Sequence, residues 1–271
     1  MMDAGLLPWW LPLSALAWAV HMAVFHGVGL GFEWADRHHR LQRFRVRAPE
    51  RRSYRRLLPR VLFNQCVVLL PCMLACEKLG LAYVGSPHLG APRFLLDLLL
   101  MAVGHDLVQY AVHRGLLHNR RFLWLRHRLH HSTDAARSIS ACYMSAADFF
   151  LEIVLPYLLP LALIGGAGSD MTFHLLMPAM AAVGGLYEHS GYDFSLVLRN
   201  PATRRPWLRA LLSRIPPVLI SSHAHGEHHR VGDVSFSDGF GSPGICDTFF
   251  ATRWDLVERD ARGRPRPASP L

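Results

Sequence analysis

The stretch from Gly104 to Ser132, GHDLVQYAVHRGLLHNRRFLWLRHRLHHS, is unusually rich in histidine and ends in the motif H-x-x-H-H. An α-helix advances about 100° per residue, so side chains at positions i, i+3 and i+4 share one face. The same motif returns at residues 225–229, HGEHH. Two copies of a three-imidazole face predict a metal cluster built on helices.

Nine histidines in or beside these motifs are the candidate ligands. One zinc ion would use three or four of them, whereas two ions would use most of them, and imidazole also suits iron, copper and nickel. A cluster of surface histidines without a metal is the alternative, and the repeated spacing argues against it. The candidates are His113, His118, His127, His130, His131, His189, His225, His228 and His229.

Three further residues lie next to the candidate ligands in the sequence. Asp106, Asp193 and His223 are of types that hydrogen-bond to metal-bound imidazoles and fix their tautomer. We therefore expect them to support the ligands from outside. A solvated acid or a spare donor is the alternative reading for each.

Long apolar segments dominate the chain, of which 51% is hydrophobic. A membrane-spanning helix needs about 20 apolar residues. Segments of suitable length and composition occupy residues 7–32, 61–84, 94–112, 146–164 and 171–187. The sequence thus predicts an all-α integral membrane protein with four to five transmembrane or re-entrant helices.

The distribution of arginine predicts the orientation in the membrane. Ten arginines crowd residues 37–60, whereas the segments 85–92 and 165–169 contain neither lysine nor arginine. Because cytoplasmic loops carry the positive excess, the first loop and all the histidine motifs should face the cytoplasm as a histidine-rich helical cap. The net charge of +9 flanks the membrane segments, so we expect no nucleic acid partner.

The chain divides into one large domain and a short tail. Residues 1–254 should form the membrane-embedded domain, within which 199–214 has the spacing of an amphipathic surface helix. Residues 255–271 are rich in arginine and proline and are predicted to be disordered.

The order of the motifs resembles the fatty acid hydroxylase/sterol desaturase superfamily, with greatest similarity to its sterol C-4 methyl oxidase branch. The combined order is specific, although each motif alone is weak. The matching residues are Asp106, Tyr110, His113, Arg114, His118, the motif at 127–131, the HSGYDF segment at 189–194, the motif at 225–229, the FNQ segment at 63–65 and the DTFFAT segment at 247–252.

This resemblance implies a membrane oxidoreductase with two iron ions and dioxygen as co-substrate. Members hydroxylate, oxidise or desaturate sterols, fatty acyl chains and related lipids. Electrons would come from an NAD(P)H-dependent reductase through an electron-transfer protein. The membrane would be a bacterial inner membrane or the endoplasmic reticulum, and these residues do not separate hydroxylation from desaturation.

Two alternatives follow from departures and ambiguities in the pattern. Many members of the superfamily carry His-Pro where this chain has Ser145-Ala146, which motivates a metal-binding membrane protein without catalysis. Glu227, inside the last motif, would be the base of a zinc-dependent lipid hydrolase. His113 and His118 are five residues apart, about 140° on an ideal helix, so Gly115 is predicted to mark a break in the helix.

Overall fold

The computed structural model describes residues 11–196, 221–239, 242 and 244–257. Within these ranges the secondary structure is helical and contains no strand. The predicted surface helix at 199–214 and most of the predicted tail at 255–271 lie outside the described residues. The main helices are α1 (Leu13–Arg37), α2 (Tyr54–Lys78), α3 (Ala91–Leu117), α4 (Arg128–His131), α5 (Ala146–Leu163), α6 (Met171–Glu188), α7 (His223–Val231) and α8 (Ile245–Phe249). Short 3-10 helices occupy Gln42–Phe44, Arg120–Leu125 and Ser138–Cys142.

Four helices, α1, α2, α3 and α5, are long and apolar enough to cross a membrane. This confirms the predicted all-α membrane fold. The fifth apolar segment forms α6, a helix of 18 residues that is not among these four. The cytoplasmic location of the histidine-bearing cap stays a prediction.

One end of the helical bundle is closed by contacts between its short loops. Ser169 donates its backbone N–H to the carbonyl of Ser86 over 2.8 Å, and the backbone N–H of Leu89 donates to Asp170 over 2.9 Å. Glu77, near the end of α2, accepts the backbone N–H of Leu13, the first residue of α1, over 3.0 Å. Both loops without lysine or arginine therefore lie at the same end, opposite the histidine motifs.

The bundle is held by close approaches between helices. A Cβ atom placed on Gly104 of α3 would lie 2.7 Å from the Cβ of Pro160 in α5. On α1, a Cβ at Gly29 would come within 3.3 Å of the Leu186 side chain of α6. The glycines thus let these helix pairs pack more closely than larger residues would allow.

Three of the long helices contain a π-helical turn, namely residues Asn64–Leu69 in α2, His113–Leu117 in α3 and Phe150–Val154 in α5. The turn in α3 corrects the predicted break at Gly115. The backbone N–H of His118 donates to the carbonyl of His113 over 3.0 Å, five residues back. The wider turn brings the two imidazoles to the same side, with their centroids 5.0 Å apart.

Candidate metal centre

Four separate parts of the chain carry the nine candidate histidines to one place. The first part is the cap-side end of α3 with His113 and His118, and the second is α4 with the residue that precedes it. His189 follows directly after α6, and α7 supplies the last motif. Because these segments are far apart in sequence, the cluster is a product of the tertiary fold.

The structure brings all nine predicted histidines together in two groups. Within each group, the ligand atoms lie within 4.8 Å of one another. The first group, here called group one, has five members and the second, group two, has four. Group one is His113, His118, His127, His131 and His228, and group two is His130, His189, His225 and His229.

The imidazole nitrogens within each group approach closely. In group one, the Nε2 atom of His127 lies 3.1 Å from that of His113 and 3.0 Å from that of His131. In group two, the Nε2 atoms of His189 and His225 are 2.8 Å apart. Nitrogens that converge in this way share a common point, as ligands of one ion do.

Several rings have their outer nitrogen fixed by a second contact. The Nδ1 atoms of His113 and His228 each lie 2.7 Å from a backbone carbonyl, those of Phe236 and Val234. Such a contact sets the tautomer and leaves Nε2 free to face the cluster. In group two, the Nδ1 atom of His189 lies 3.1 Å from the hydroxyl oxygen of Ser140.

Two acidic residues of α5 also face the cluster. Asp148 Oδ1 lies 2.9 Å from the Nδ1 atom of His127, and Glu152 Oε2 lies 3.3 Å from the same nitrogen. Both carboxylates are buried. His127, Asp148 and Glu152 together form a third set that could hold a cation.

Burial sets the protonation state of the histidines in the cluster that lie outside the membrane-spanning helices. Burial, followed by the charges of neighbouring histidines, lowers the pKa of His118 to about 2 and that of His131 to about 3. Burial and then the charge of Arg47 lower the pKa of His225 to about 3. These imidazoles are therefore neutral at pH 7, which is the form that binds a metal.

His127 differs because of its acidic neighbours. Burial lowers its pKa, but the charge of Glu152 and the hydrogen bond with Asp148 more than offset this, and the pKa rises to about 10. A proton on His127 balances the charge of the two acids. A metal ion in group one would take over that role from the proton.

Two side chains of group two fit a metal because their ring nitrogens are otherwise unpaired. His130 is 1% exposed and His229 is 6% exposed, yet neither ring nitrogen of either residue has a hydrogen-bond partner among the described residues. Leaving a buried polar atom unpaired costs about 1–3 kcal/mol. A bound cation would satisfy the inward-facing nitrogens, so the residues present fit a metal centre.

Arg47 ties together three of the ligand-bearing segments. Its guanidinium group donates to the backbone carbonyls of Ala135 over 3.0 Å, Ser222 over 3.0 Å and Glu188 over 2.6 Å. These carbonyls follow α4, precede α7 and precede His189, respectively. One side chain thereby fixes the spacing of the segments that carry both groups.

The three predicted supporting residues occupy other places around the centre. Asp106 accepts the backbone N–H groups of Ile245 and Cys246 at the start of α8, over 3.0 Å and 2.9 Å. Asp193 accepts the Ser221 hydroxyl over 2.8 Å. His223 packs its ring on Trp254. These contacts join segments of the cap, and support of the ligand rings by these three residues stays a prediction.

Asp247 supports the ligands through a loop. Its carboxylate accepts the backbone N–H groups of Phe236 over 3.0 Å, Ser237 over 2.6 Å and Asp238 over 2.9 Å. The same loop supplies the carbonyl that contacts His113. The role of Asp247 is therefore structural. The resemblance of residues 247–252 to a superfamily motif does not by itself reveal this role.

Sequence reasoning missed Arg47, Asp148 and Glu152. Arg47 was one of ten arginines in a basic loop, and no local pattern distinguishes it. A signal did exist for the two acids, since ionisable residues inside an apolar segment are costly and tend to be functional. They stand four residues apart in α5, on one face of an ordinary helix.

Comparisons with known proteins agree with this arrangement. The family model of the fatty acid hydroxylases matches residues 98–252, a range that contains all nine histidines. Fatty acid hydroxylase ahd1 of Mycosarcoma maydis is 24% identical over 220 residues, which cover 78% of this chain and 49% of that protein.

Fatty acid hydroxylase domain-containing protein 2 of Macaca fascicularis is 23% identical over 237 residues, which cover 84% of this chain and 62% of that protein. The chain therefore spans about half to three fifths of the length of these curated relatives. No solved structure matches the chain.

Proposed function

Because the chain belongs to the fatty acid hydroxylase family, we propose that it is a membrane enzyme that hydroxylates, oxidises or desaturates a lipid. Its proposed cofactor is a pair of iron ions, and dioxygen is the co-substrate. The observation that carries the proposal is the convergence of nine imidazoles in two groups beside membrane-spanning helices. When bound, iron would supply the activation of dioxygen and the removal of hydrogen from a lipid C–H bond.

The protein's own residues have three tasks in this proposal. Group one would hold one ion and group two the other, and the contacts at Nδ1 would keep each Nε2 aimed inward. Burial keeps bulk water away from the reacting atoms. Asp148 would orient His127 through their 2.9 Å contact.

The lipid is proposed to enter from the membrane. The ligand His113 and the carboxylate of Glu152 belong to helices of membrane-spanning length. Leu107 and Phe150, on the same helices, are exposed apolar side chains at 51% and 38%. Sterol-like, polycyclic and fatty acyl lipids all fit this route, and a sterol would fit the resemblance to the sterol C-4 methyl oxidase branch.

Electrons are proposed to enter from the cytoplasmic side through an electron-transfer protein served by an NAD(P)H-dependent reductase. The segment that leads into α4, together with the first residue of that helix, carries exposed arginines at 120, 121, 126 and 128. This basic surface would attract an acidic carrier. The same charges would contact anionic headgroups of a bacterial inner membrane or the endoplasmic reticulum.

The zinc hydrolase alternative depends on Glu227 as a base. In the structure, a carboxylate oxygen of Glu227 lies 2.6 Å from the guanidinium group of Arg230, which is largely exposed. This ion pair engages the carboxylate on α7, where the Glu227 side chain is 15% exposed. The arrangement gives the hydrolase no support.

The test begins with protein purified anaerobically in detergent. We expect about two irons per chain and a reduced form that consumes dioxygen with a lipid substrate. Stoichiometric zinc without a redox response would contradict the proposal and leave hydrolysis or a silent scaffold.

Variants locate the activity in the cluster. His130→Ala and His228→Ala should each abolish dioxygen-dependent product while the protein stays in membranes. His39→Ala is the matched control, because His39 is exposed and outside both groups. Turnover retained by either cluster variant would contradict the site assignment.

A further inference from the structure

Glu152 lies between the two histidine groups. Its Oε1 atom is 3.9 Å from Nε2 of His113 in group one and 3.7 Å from Nε2 of His130 in group two. Its Oε2 atom is buried and lies 3.3 Å from Nδ1 of His127, but makes no well-aligned hydrogen bond with the described residues. Donor atoms at such separations are near enough to share ions with both groups.

The other acids in the four apolar helices are differently paired. Apart from Asp148, whose ion-pair partner is His127, each of them has an arginine or backbone N–H groups among its partners. Glu33 pairs with Arg37 and Arg137, Asp36 with Arg45, Asp97 with Arg93, Glu77 with the N–H groups of Leu13 and Ser14, and Asp106 with those of Ile245 and Cys246.

Glu152 has only histidines among its described ion-pair partners, and it is 4% exposed. A carboxylate inside an apolar helix needs a compensating positive charge. The three histidines around Glu152 are all candidate metal ligands, so an ion bound by them would supply this positive charge.

The backbone at this position is also specialised. Residues Phe150–Val154 form a π-helical turn in the middle of α5. Such turns are rare and occur often at functional sites. The wider turn changes the direction in which Glu152 leaves the helix compared with a regular α-helix.

Charge balance points the same way. Nine neutral imidazoles contribute no negative charge, so two divalent ions would leave the buried cluster strongly positive. A carboxylate in contact with both groups would reduce that charge where the dielectric is low.

We propose that Glu152 is a metal ligand whose carboxylate connects the two ions, as a tenth ligand beside the nine histidines. This inference rests on the proposed metal centre and assigns a role to a residue outside the histidine motifs. Asp148, in contrast, acts through His127 and is a positioning residue.

The test uses cobalt(II) bound to the metal-free full-length protein in detergent, because its visible absorption reports the ligands directly. The wild type should bind about two cobalt ions. Glu152→Gln should weaken the binding of at least one ion about tenfold or more and change the absorption spectrum. Asp148→Asn should weaken binding but keep the wild-type spectrum.

Glu152→Asp is a second variant, to be used if Glu152→Gln fails to fold. It keeps the negative charge but shortens the side chain by one methylene. It should also show an altered spectrum. His39→Ala should match the wild type in affinity and spectrum.

The outcomes separate this inference from the proposed function. Unchanged affinity and spectrum in Glu152→Gln and Glu152→Asp would overturn the inference while leaving the oxygenase proposal intact. The same would follow if both variants kept the wild-type spectrum and lost only affinity, as Asp148→Asn should. If the wild type does not react with dioxygen and Glu152→Gln binds cobalt more weakly, Glu152 is supported as a metal ligand. The same results contradict the proposed oxygenase activity.

Discussion

Arg47 shows how a single side chain can organise several segments of a site. Its three hydrogen bonds to backbone carbonyls reach segments that are separated by 88 to 175 residues from it in sequence. Gly226 makes room for the guanidinium group, because a Cβ there would lie 1.8 Å from its Nη1 atom. The glycine in the last motif is thus explained by Arg47 rather than by the histidines.

We expect Arg47→Ala to lower the free energy of unfolding by about 2–4 kcal/mol, since each charged hydrogen bond contributes about 1.5–3 kcal/mol and part of the loss is recovered by water. The variant should also retain less metal. Thermal unfolding in detergent and metal analysis would measure both effects.

Arg43→Ala is the control, because Arg43 is exposed on the same loop and contacts the ring of Phe44. Gly226→Ala should resemble Arg47→Ala, since the added methyl group would displace the guanidinium group. Equal melting temperatures of Arg47→Ala and Arg43→Ala would show that the three carbonyl contacts do not stabilise the cap.

At the scale of elements, the contact between α3 and α5 brings His113 and Glu152 together. Gly104 and Pro160 lie in close contact there, and the proline ring cannot rotate away from an added methyl group. The separation of the two helices therefore depends on the absence of a side chain at residue 104.

Gly104→Ala should destabilise the protein by about 1–3 kcal/mol, the usual cost of adding a group to a packed contact. Gly27→Ala in α1 is the control, since a Cβ there would meet nothing within 4 Å. Both changes favour an isolated helix, so helix propensity does not separate them. A Gly104→Ala melting temperature at or above that of Gly27→Ala would contradict the packing argument.

The elements also show what the sequence could and could not predict. Spacing at i, i+3 and i+4 predicted which histidines share a face, because α-helical geometry is local. It did not predict how His113 and His118 converge, since five-residue spacing depends on a π-helical turn. The role of Asp106 was also out of reach, because its partners are about 140 residues away.

At the scale of the whole molecule, the metal centre would join the cap to the membrane helices. Group one alone includes residues from α3, from the α4 segment and from α7. Ions bound by such a group stabilise the folded state by mass action, by about 2.7 kcal/mol at a free concentration one hundred times the dissociation constant.

Removal of the metals with a chelator should therefore lower the thermal midpoint of the wild type and expose the cap to limited proteolysis. His130→Ala, which lacks a group-two ligand, should respond less to the same chelator. The start of α1 near Leu13 lies at the end of the bundle opposite the histidine cluster. It should resist cleavage both with and without the metals. A chelator that leaves wild-type melting and proteolysis unchanged would show that the ions do not hold the cap.

The two H-x-x-H-H motifs each divide their histidines between the groups. The first motif gives His127 and His131 to group one and His130 to group two, and the second gives His228 to group one and the remaining two to group two. Neither motif therefore builds a site of its own. Binding of the two ions should therefore be cooperative. A lineage that loses either motif should lose both ions together, without an intermediate that binds one ion.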